Sequence, residues 1–545
     1  MTTRWKLRLR RQIRRTAFAA LAAVTFAAGA TGIVSPPATA ADLAAANRLA
    51  PMPQSMIQET SWDDDSSVTA ENSLSAVSAE NAALTKRVAA LEQALRSMQE
   101  VTPAAAEETL PAAKGKDDAP NDTCKQLDPI IKPTFQFHGR IYFDGVDYSD
   151  DPADKAFFHT DRNNEIGFRT FRIGGNGNIY ENLYYNVEFE VRGTNSAIQY
   201  KDIYMEQQHI PWIGHLRAGH FKEPIGLEED ESDLYLTFME KSPATKAFSP
   251  ARNFGMMAWD TFDDCQDASW FAGIFAADSP DSPDSTGLWR SDDNDWSYDA
   301  RVAVLPYYDE PSNGRYLVHL GGSYSFRHIG GLTSGAAYDQ NVAYNPLNGL
   351  AQFATGPWVG SQAPLGFGAE FTTDEYNEIG AEFLTIWGAS SFQSEYFEAI
   401  ADNGQQFNGG YAQASYFLTG ENRAYVKDLK VPGRVQPFEP FFWVDSCKGA
   451  ICGKGAWELA FGYSWVDLTD GQDTNNTAAT APATGGTSAN RRRGFNDNFI
   501  VGVNWYQNPW SRVFFDYEHE IVDFVDAGVP TSNANIFGMR WQIDW

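Results

Sequence analysis

Past residue 40 the sequence has no run approaching the roughly 20 consecutive apolar residues that a membrane-crossing helix requires. A helix-spanning membrane protein is thereby excluded. Basic residues are also scarce, 42 Lys and Arg against 71 Asp and Glu, and a net charge of -29 argues against nucleic acid as a partner, since a phosphate backbone rewards the opposite sign. Of only four cysteines, Cys447 and Cys452 stand close together in "CKGAIC", while Cys124 and Cys265 stand alone. No histidine lies at ligand spacing from the close pair, so zinc is not expected. In an exported chain the close pair is expected to bridge locally, which leaves Cys124 and Cys265 as a long-range pair. The mean hydropathy of -0.40 resembles that of a soluble protein. It also fits a transmembrane β-barrel, in which only every second residue of a strand must be apolar.

Residues 1–40 read as a signal peptide. Seven basic residues (Arg4, Lys6, Arg8, Arg10, Arg11, Arg14, Arg15) precede the apolar run Thr16 to Ala28, and Ala38-Thr39-Ala40 fits a small-residue cleavage site. A disordered segment is expected over 41–67 and a coiled-coil helix over 68–100. There Leu74, Val77, Asn81, Leu84, Val88, Leu91, Leu95 and Met98 recur at alternating steps of three and four. Asn81 interrupts the seam and fixes register, and Arg87 is placed to meet Glu92 of a parallel neighbour. The Ala- and Pro-rich stretch 101–134 reads as a periplasmic linker that separates this helix from any core.

From 135 to 545 the pattern changes to strands. In "YYNVEFEVR", Tyr185, Val187, Phe189 and Val191 share one face and Asn186, Glu188, Glu190 and Arg192 the other. "RVFFDYEHEI" sets Val513, Phe515, Tyr517, His519 and Ile521 against Arg512, Phe514, Asp516, Glu518 and Glu520. The final stretch "NIFGMRWQIDW" does the same, with Phe537, Met539, Trp541, Ile543 and Trp545 in one row. A soluble sandwich shows the same period. These strands, however, run about ten residues, enough to cross a bilayer when tilted. Tight turns such as "QNPWS" alternate with long polar segments such as 329–369 and 467–497. The expected fold is all-β, an antiparallel up-and-down barrel of about sixteen strands. Trp541 and Trp545 then fall where an aromatic girdle meets the interface.

Several blocks resemble the phosphate-selective porin O and P family of Gram-negative outer membranes: "RAGHFKEPIGLEEDESDLYLTFMEKS", "PARNFG", "GGYAQASYFLTGENRAY", "GAWELAFGYSWVDL" and "VGVNWYQNPWSRVFFDYEH". The resemblance implies a sixteen-stranded barrel in outer-membrane lipid, a homotrimer, and passive diffusion of small hydrophilic solutes without a cofactor. It also implies that the terminal aromatic, here Trp545 where Phe is usual, is read by the barrel-assembly machinery. Anion selectivity in that family resides in basic lumen residues. Here the inward rows hold Arg140, Arg192, Arg512 and Arg540, but also Asp144, Glu188, Glu190, Glu378, Glu382, Glu458, Asp516, Glu518, Glu520 and Asp544. Ten acids against four bases weaken an expectation of phosphate selectivity and leave the channel expectation standing. Leu227 to Asn253 follows a strand and is too long for a turn. Folded into the lumen, it would form the constriction, with Lys222, Lys241, Lys246 and Arg252 meeting passing anions. As an outward loop, the same charges would merely be solvated.

Enzyme-like features are weak. His209, His215 and His220 in "HIPWIGHLRAGH" are split by a turn, and "GGNGNIYE" lacks the Lys-Ser/Thr of a phosphate loop and reads as a tight hairpin turn. No Ser/His/Asp set stands out, so an outer-membrane hydrolase and a secreted β-sandwich binding protein are the alternatives to a porin.

Overall fold

The computed structural model describes residues 133–150, 164–191, 198–262, 264–276, 296–328, 375–445, 449–451, 453–470, 493–525 and 529–545. The signal peptide, the coiled coil, the linker up to residue 132, Cys124, Arg192, Cys447 and Cys452 lie outside the described residues. In chain order the strands are β1 (Gln136–Asp150), β2 (Glu165–Tyr180), β3 (Leu183–Val191), β4 (Ile198–Ile210), β5 (Gly214–Lys222), β6 (Arg252–Thr261) and β7 (Ala268–Phe275). They continue as β8 (Trp296–Tyr308), β9 (Tyr316–His328), β10 (Glu375–Trp387), β11 (Ser390–Ala401) and β12 (Gln406–Phe417). Four short strands follow, β13 (Ala424–Val426), β14 (Val431–Gly433), β15 (Trp443–Asp445) and β16 (Gly449–Ile451). The chain then runs through β17 (Ala456–Asp467), β18 (Gly494–Asn508), β19 (Ser511–Phe524) and β20 (Ser532–Asp544). Two short helices, α1 (Leu227–Asp230) and α2 (Pro243–Phe248), lie between β5 and β6.

Strands β1 to β12 and β17 to β20 pair with their neighbours and close into one barrel of sixteen. Closure is made by β1 against β20, antiparallel, with Phe143 opposite Trp541 and Arg140 opposite Asp544. The barrel sheet is left without an edge strand among the described residues, which is the condition for a sheet to stand in hydrocarbon. The sandwich alternative is thereby overturned.

The two faces are inverted relative to a soluble protein. On β20, Phe537, Met539 and Trp541 are about half exposed, while Arg540, Gln542 and Asp544 between them are buried. All ten carboxylates of the predicted inward rows are buried as well. A strand that turns its apolar row out and its charged row in is stable only with hydrocarbon outside and polar partners inside.

The near end is where β1 starts and β20 stops. Six of its connections are short, including Pro211–Ile213, Gly388–Ala389 and Pro509–Trp510. The seventh, 418–455 between β12 and β17, is long and carries β13 to β16. At the far end, 223–251 is long but 402–405 is short. The regular alternation of tight and long connections expected from the sequence therefore breaks at both ends. The "GGNGNIYE" expectation is corrected too, because Gly174 to Tyr180 continue β2 rather than turn. A Cβ on Gly175 would sit 2.1 Å from the Phe135 ring, and one on Gly177 2.0 Å from the Thr134 carbonyl oxygen. These glycines admit the chain entering β1.

Candidate functional site

The segment 223–251 leaves the far end of β5 and crosses the lumen. Its entry is fixed by Glu223, which accepts from Arg327 at 2.6 and 3.2 Å and from Asn253. Gly226 follows with φ 88°, a left-handed turn that a side chain would strain. The amides of Leu227 and Glu228 then donate to the Glu395 carboxylate on β11, at 2.5 and 2.8 Å. Leu227 packs in an apolar cluster inside the barrel with Leu305, Leu317, Leu384, Ile386, Tyr425 and Val431.

The middle of the segment is held by the opposite wall. Arg512 donates to the carbonyl oxygens of Leu236 and Thr237, at 2.6 and 3.1 Å, with its guanidinium over the Phe514 ring at 3.8 Å. The Met239 amide donates to Asp516 at 2.7 Å, and its carbonyl accepts from Arg540. Phe238 seats against Gly462 and Gly502, where an added Cβ would come to 2.9 and 3.1 Å from its ring. Helix α2 is capped by Ser242, whose hydroxyl accepts from the Thr245 amide. Its Ala244, Ala247 and Phe248 pack on Phe397, Phe407 and Val466.

The connection 418–455 enters from the near end and meets this segment. Arg423 donates to both oxygens of Glu231, at 2.7 and 2.8 Å. Arg301 on β8 binds Glu382 at 2.8 and 2.9 Å and Asp230 at 3.1 Å. Lys430 reaches the Gln266 carbonyl at 2.8 Å and Ser269 Oγ at 2.9 Å. Two elements from opposite ends thus fill the side of the lumen against β8 to β12 and β17 to β20. A cavity of about 640 Å3 remains between the β1 to β6 wall, Asp230–Leu234 and Leu429–Arg434.

Of the basic residues expected in the pore, three line this cavity: Arg140, Lys222 and Arg252. Arg140 is paired with Glu188 at 3.1 Å and Arg252 with Asp202 at 2.7 Å. Lys222 donates to the carbonyl oxygens of Glu229 and Glu231, at 2.6 and 2.8 Å, and has no carboxylate within ion-pair distance among the described residues. Four others hold the segment instead. Lys241 pairs with Glu229 at 2.7 Å, Lys246 with Glu240 at 2.8 Å, Arg540 with Asp144 and Glu240 at 2.7 Å each, and Arg512 binds backbone. Arg252 and Asn253 begin β6 rather than end the segment. Burial pushes the Glu240 carboxyl up, but Arg169, Lys246 and Arg540 outweigh it and hold Glu240 well below the usual range.

Arg217 and Arg434, which also line the cavity, and the anchors Arg301, Arg327 and Arg423 were not anticipated from the sequence. The signal for Arg301 was present, since Ser297, Asp299, Arg301 and Ala303 alternate with Tyr298, Ala300, Val302 and Val304 along β8. His209 and His215 stand with rings 5.3 Å apart, but His215 is stacked on Trp259 and His220 contacts the Lys201 carbonyl. Cys265 is exposed at the near end, between β6 and β7. Trp545 closes the barrel by exchanging backbone hydrogen bonds with Gly139, at 3.1 and 3.2 Å.

A family model described as phosphate-selective porin O and P matches residues 140–545. The chain belongs to that family. Porin O of Pseudomonas aeruginosa is 24% identical over 408 residues, covering 71% of this chain and 84% of its own. An uncharacterised protein of Caulobacter vibrioides is 25% identical over 428 residues, 76% of this chain and 74% of its own. Among solved structures, OprB of Pseudomonas putida aligns with a TM-score of 0.43 at 11% identity, over 75% of this chain and 94% of its own. An anion-selective porin from Comamonas acidovorans aligns with a TM-score of 0.39 at 11% identity, over 76% and 100%. Membership in the porin O and P family, with the closed sixteen-stranded barrel, makes the chain an outer-membrane porin.

Proposed function

We propose that this porin passes small hydrophilic solutes by diffusion, with a weak preference for anions and with its near end toward the periplasm. The observation that carries this is the charge-lined cavity along the β1 to β6 wall, left open beside the two elements that enter the lumen. Its charged lining comprises Arg140, Arg217, Lys222, Arg252 and Arg434 against Glu188, Asp202, Asp230, Asp233 and Asp544. The two signs cancel, which argues against a strong selectivity of either kind. What preference is left goes with Lys222, the ammonium in this lining without a carboxylate partner among the described residues, because a narrow pore feels its nearest charges most. A phosphate-specific ladder would need unpaired guanidiniums, and Arg140 and Arg252 are both paired.

The assembly is a homotrimer, as the family resemblance implies. Trp545 serves as the signal for the barrel-assembly machinery, and the coiled coil joins protomers in the periplasm. Cys265, a free thiol exposed at the near end, is the partner that the sequence leaves for Cys124. The deciding experiment is the reversal potential of single channels in a salt gradient. Wild type should favour anions modestly and Lys222→Glu should shift the potential toward cations. An unchanged potential would remove Lys222 from the account.

A further inference from the structure

Where the connection 418–455 leaves the lumen, it folds back over the outside of the barrel rim. Val435 is still inside, packed with Phe417, Ala456 and Tyr506. Beyond it the Phe438 amide donates to Glu421 at 3.0 Å and the Phe441 amide to the Gln507 carbonyl at 2.6 Å. Phe441 then lies edge-on to Trp505, with ring centroids 4.7 Å apart, and Trp505 stacks on Trp457 at 5.3 Å. Both tryptophans belong to the outward rows of β17 and β18, opposite each other in register. The segment therefore extends the barrel's outer aromatic face beyond the strand ends.

Three features fit this patch to lipid. Phe438 and Phe442 are 63% and 61% exposed and, with Phe441 at 41%, put three large apolar side chains on the surface of one short segment. Phe442 has φ 46°, a left-handed backbone that disfavours a side chain, so a bulky Phe there adds nothing to local folding. Both indole N–H groups donate to the Lys454 carbonyl, at 3.2 and 2.9 Å, so the two rings need no water to satisfy them.

We propose that Phe438, Phe441 and Phe442, with Trp457 and Trp505, form an interfacial anchor that dips into phospholipid of the periplasmic leaflet. The occupant is lipid rather than a second copy because the patch runs through exposed Leu418, whose amide donates to the Trp457 carbonyl, toward exposed Tyr416 and Phe461 on the hydrocarbon-facing wall. This rests on the porin reading and its orientation.

The test uses the full-length protein with p-benzoyl-phenylalanine in place of Phe442, Phe438 or, as the mid-barrel reference, Phe461. Each variant is folded into phosphatidylethanolamine and phosphatidylglycerol vesicles, checked for heat-modifiable mobility, and irradiated. The expected result is a phospholipid-mass adduct at Phe442 and Phe438 with a yield of the same order as at Phe461. An adduct at Phe461 but none at Phe442 would overturn the anchor, as would cross-linking of Phe442 to a second protomer. Absence of an adduct at Phe461 itself would instead strike the lipid-facing wall, and the anchor with it.

Discussion

Arg423 and Glu231, 192 positions apart, form a two-pronged ion pair at 2.7 and 2.8 Å inside the barrel. One residue arrives from the near end on 418–455 and the other from the far end on 223–251, so this pair latches the two elements that narrow the lumen. Removing one partner of a buried pair leaves an uncompensated charge, at a cost of about 3–5 kcal/mol. Arg423→Ala should therefore loosen the latch while the sixteen-stranded wall survives. The expected outcome is a folded, heat-modifiable barrel with noisier and larger single-channel steps and faster proteolysis within 418–455.

The tip of that connection is expected to limit pore size. Tyr425 and Val431 belong to the apolar cluster that fills the lumen beside β8 to β10. Replacing 424–433 by a short glycine bridge should remove this filling, raise conductance, and admit larger neutral sugars in liposome swelling. Swelling rates equal to wild type would mean that the filled side was never a barrier.

Phe238 is the knob that seats the segment 223–251 on the wall of β17 and β18, buried against Gly462 and Gly502. Truncating a buried Phe costs about 3–5 kcal/mol. Phe238→Ala should free the segment and raise open-channel noise while the barrel remains folded and heat-modifiable. Gly502→Val should act the same way from the other side, because its side chain would also meet Asp516, whose carboxylate holds the Met239 amide.

Acidity should alter selectivity. Burial pushes the Asp230 and Glu231 carboxyls up to about 7, although Arg301 and Arg423 beside them pull the other way. In the folded chain both are ionised above that value and neutral below it, whereas in the unfolded chain they titrate near 4. The folded state thus binds more protons between about 4 and 7, and these two groups favour folding as pH falls through that window. Lowering pH from 8 to 5 removes two negative charges beside the cavity and leaves the guanidiniums. Reversal potentials should move toward anions with a midpoint near 7, and Asp230→Asn with Glu231→Gln should flatten the curve.

Much of this architecture is written in short-range pattern. Arg512, Phe514, Asp516, Glu518 and Glu520 alternate with their apolar neighbours because each strand meets two media, and that period specifies both the barrel and its inward face. The segment 223–251 was legible as too long for a turn. Its partners were not, since Glu395, Asp516 and Arg540 approach it only once the barrel closes. The lumenal role of 418–455 was missed because Ala424–Val426 and Val431–Gly433 pair only with each other, a hairpin without a long alternating run. Strand counting held the clue, for it assigns this long connection to the end otherwise reserved for tight turns. Likewise Lys241 and Lys246 carry pore-like charge in the sequence, yet the nearest carboxylates, Glu229 and Glu240, lie on their own segment.

The central claim is that water and ions thread the β1 to β6 side of a closed barrel. The most direct measurement is the current of purified, heat-modifiable protein inserted into a planar lipid bilayer. Discrete steps that grow in proportion to salt concentration, and that grow again when 424–433 is replaced, are predicted. Folded protein that inserts but passes no current, or whose current ignores that replacement, would contradict it.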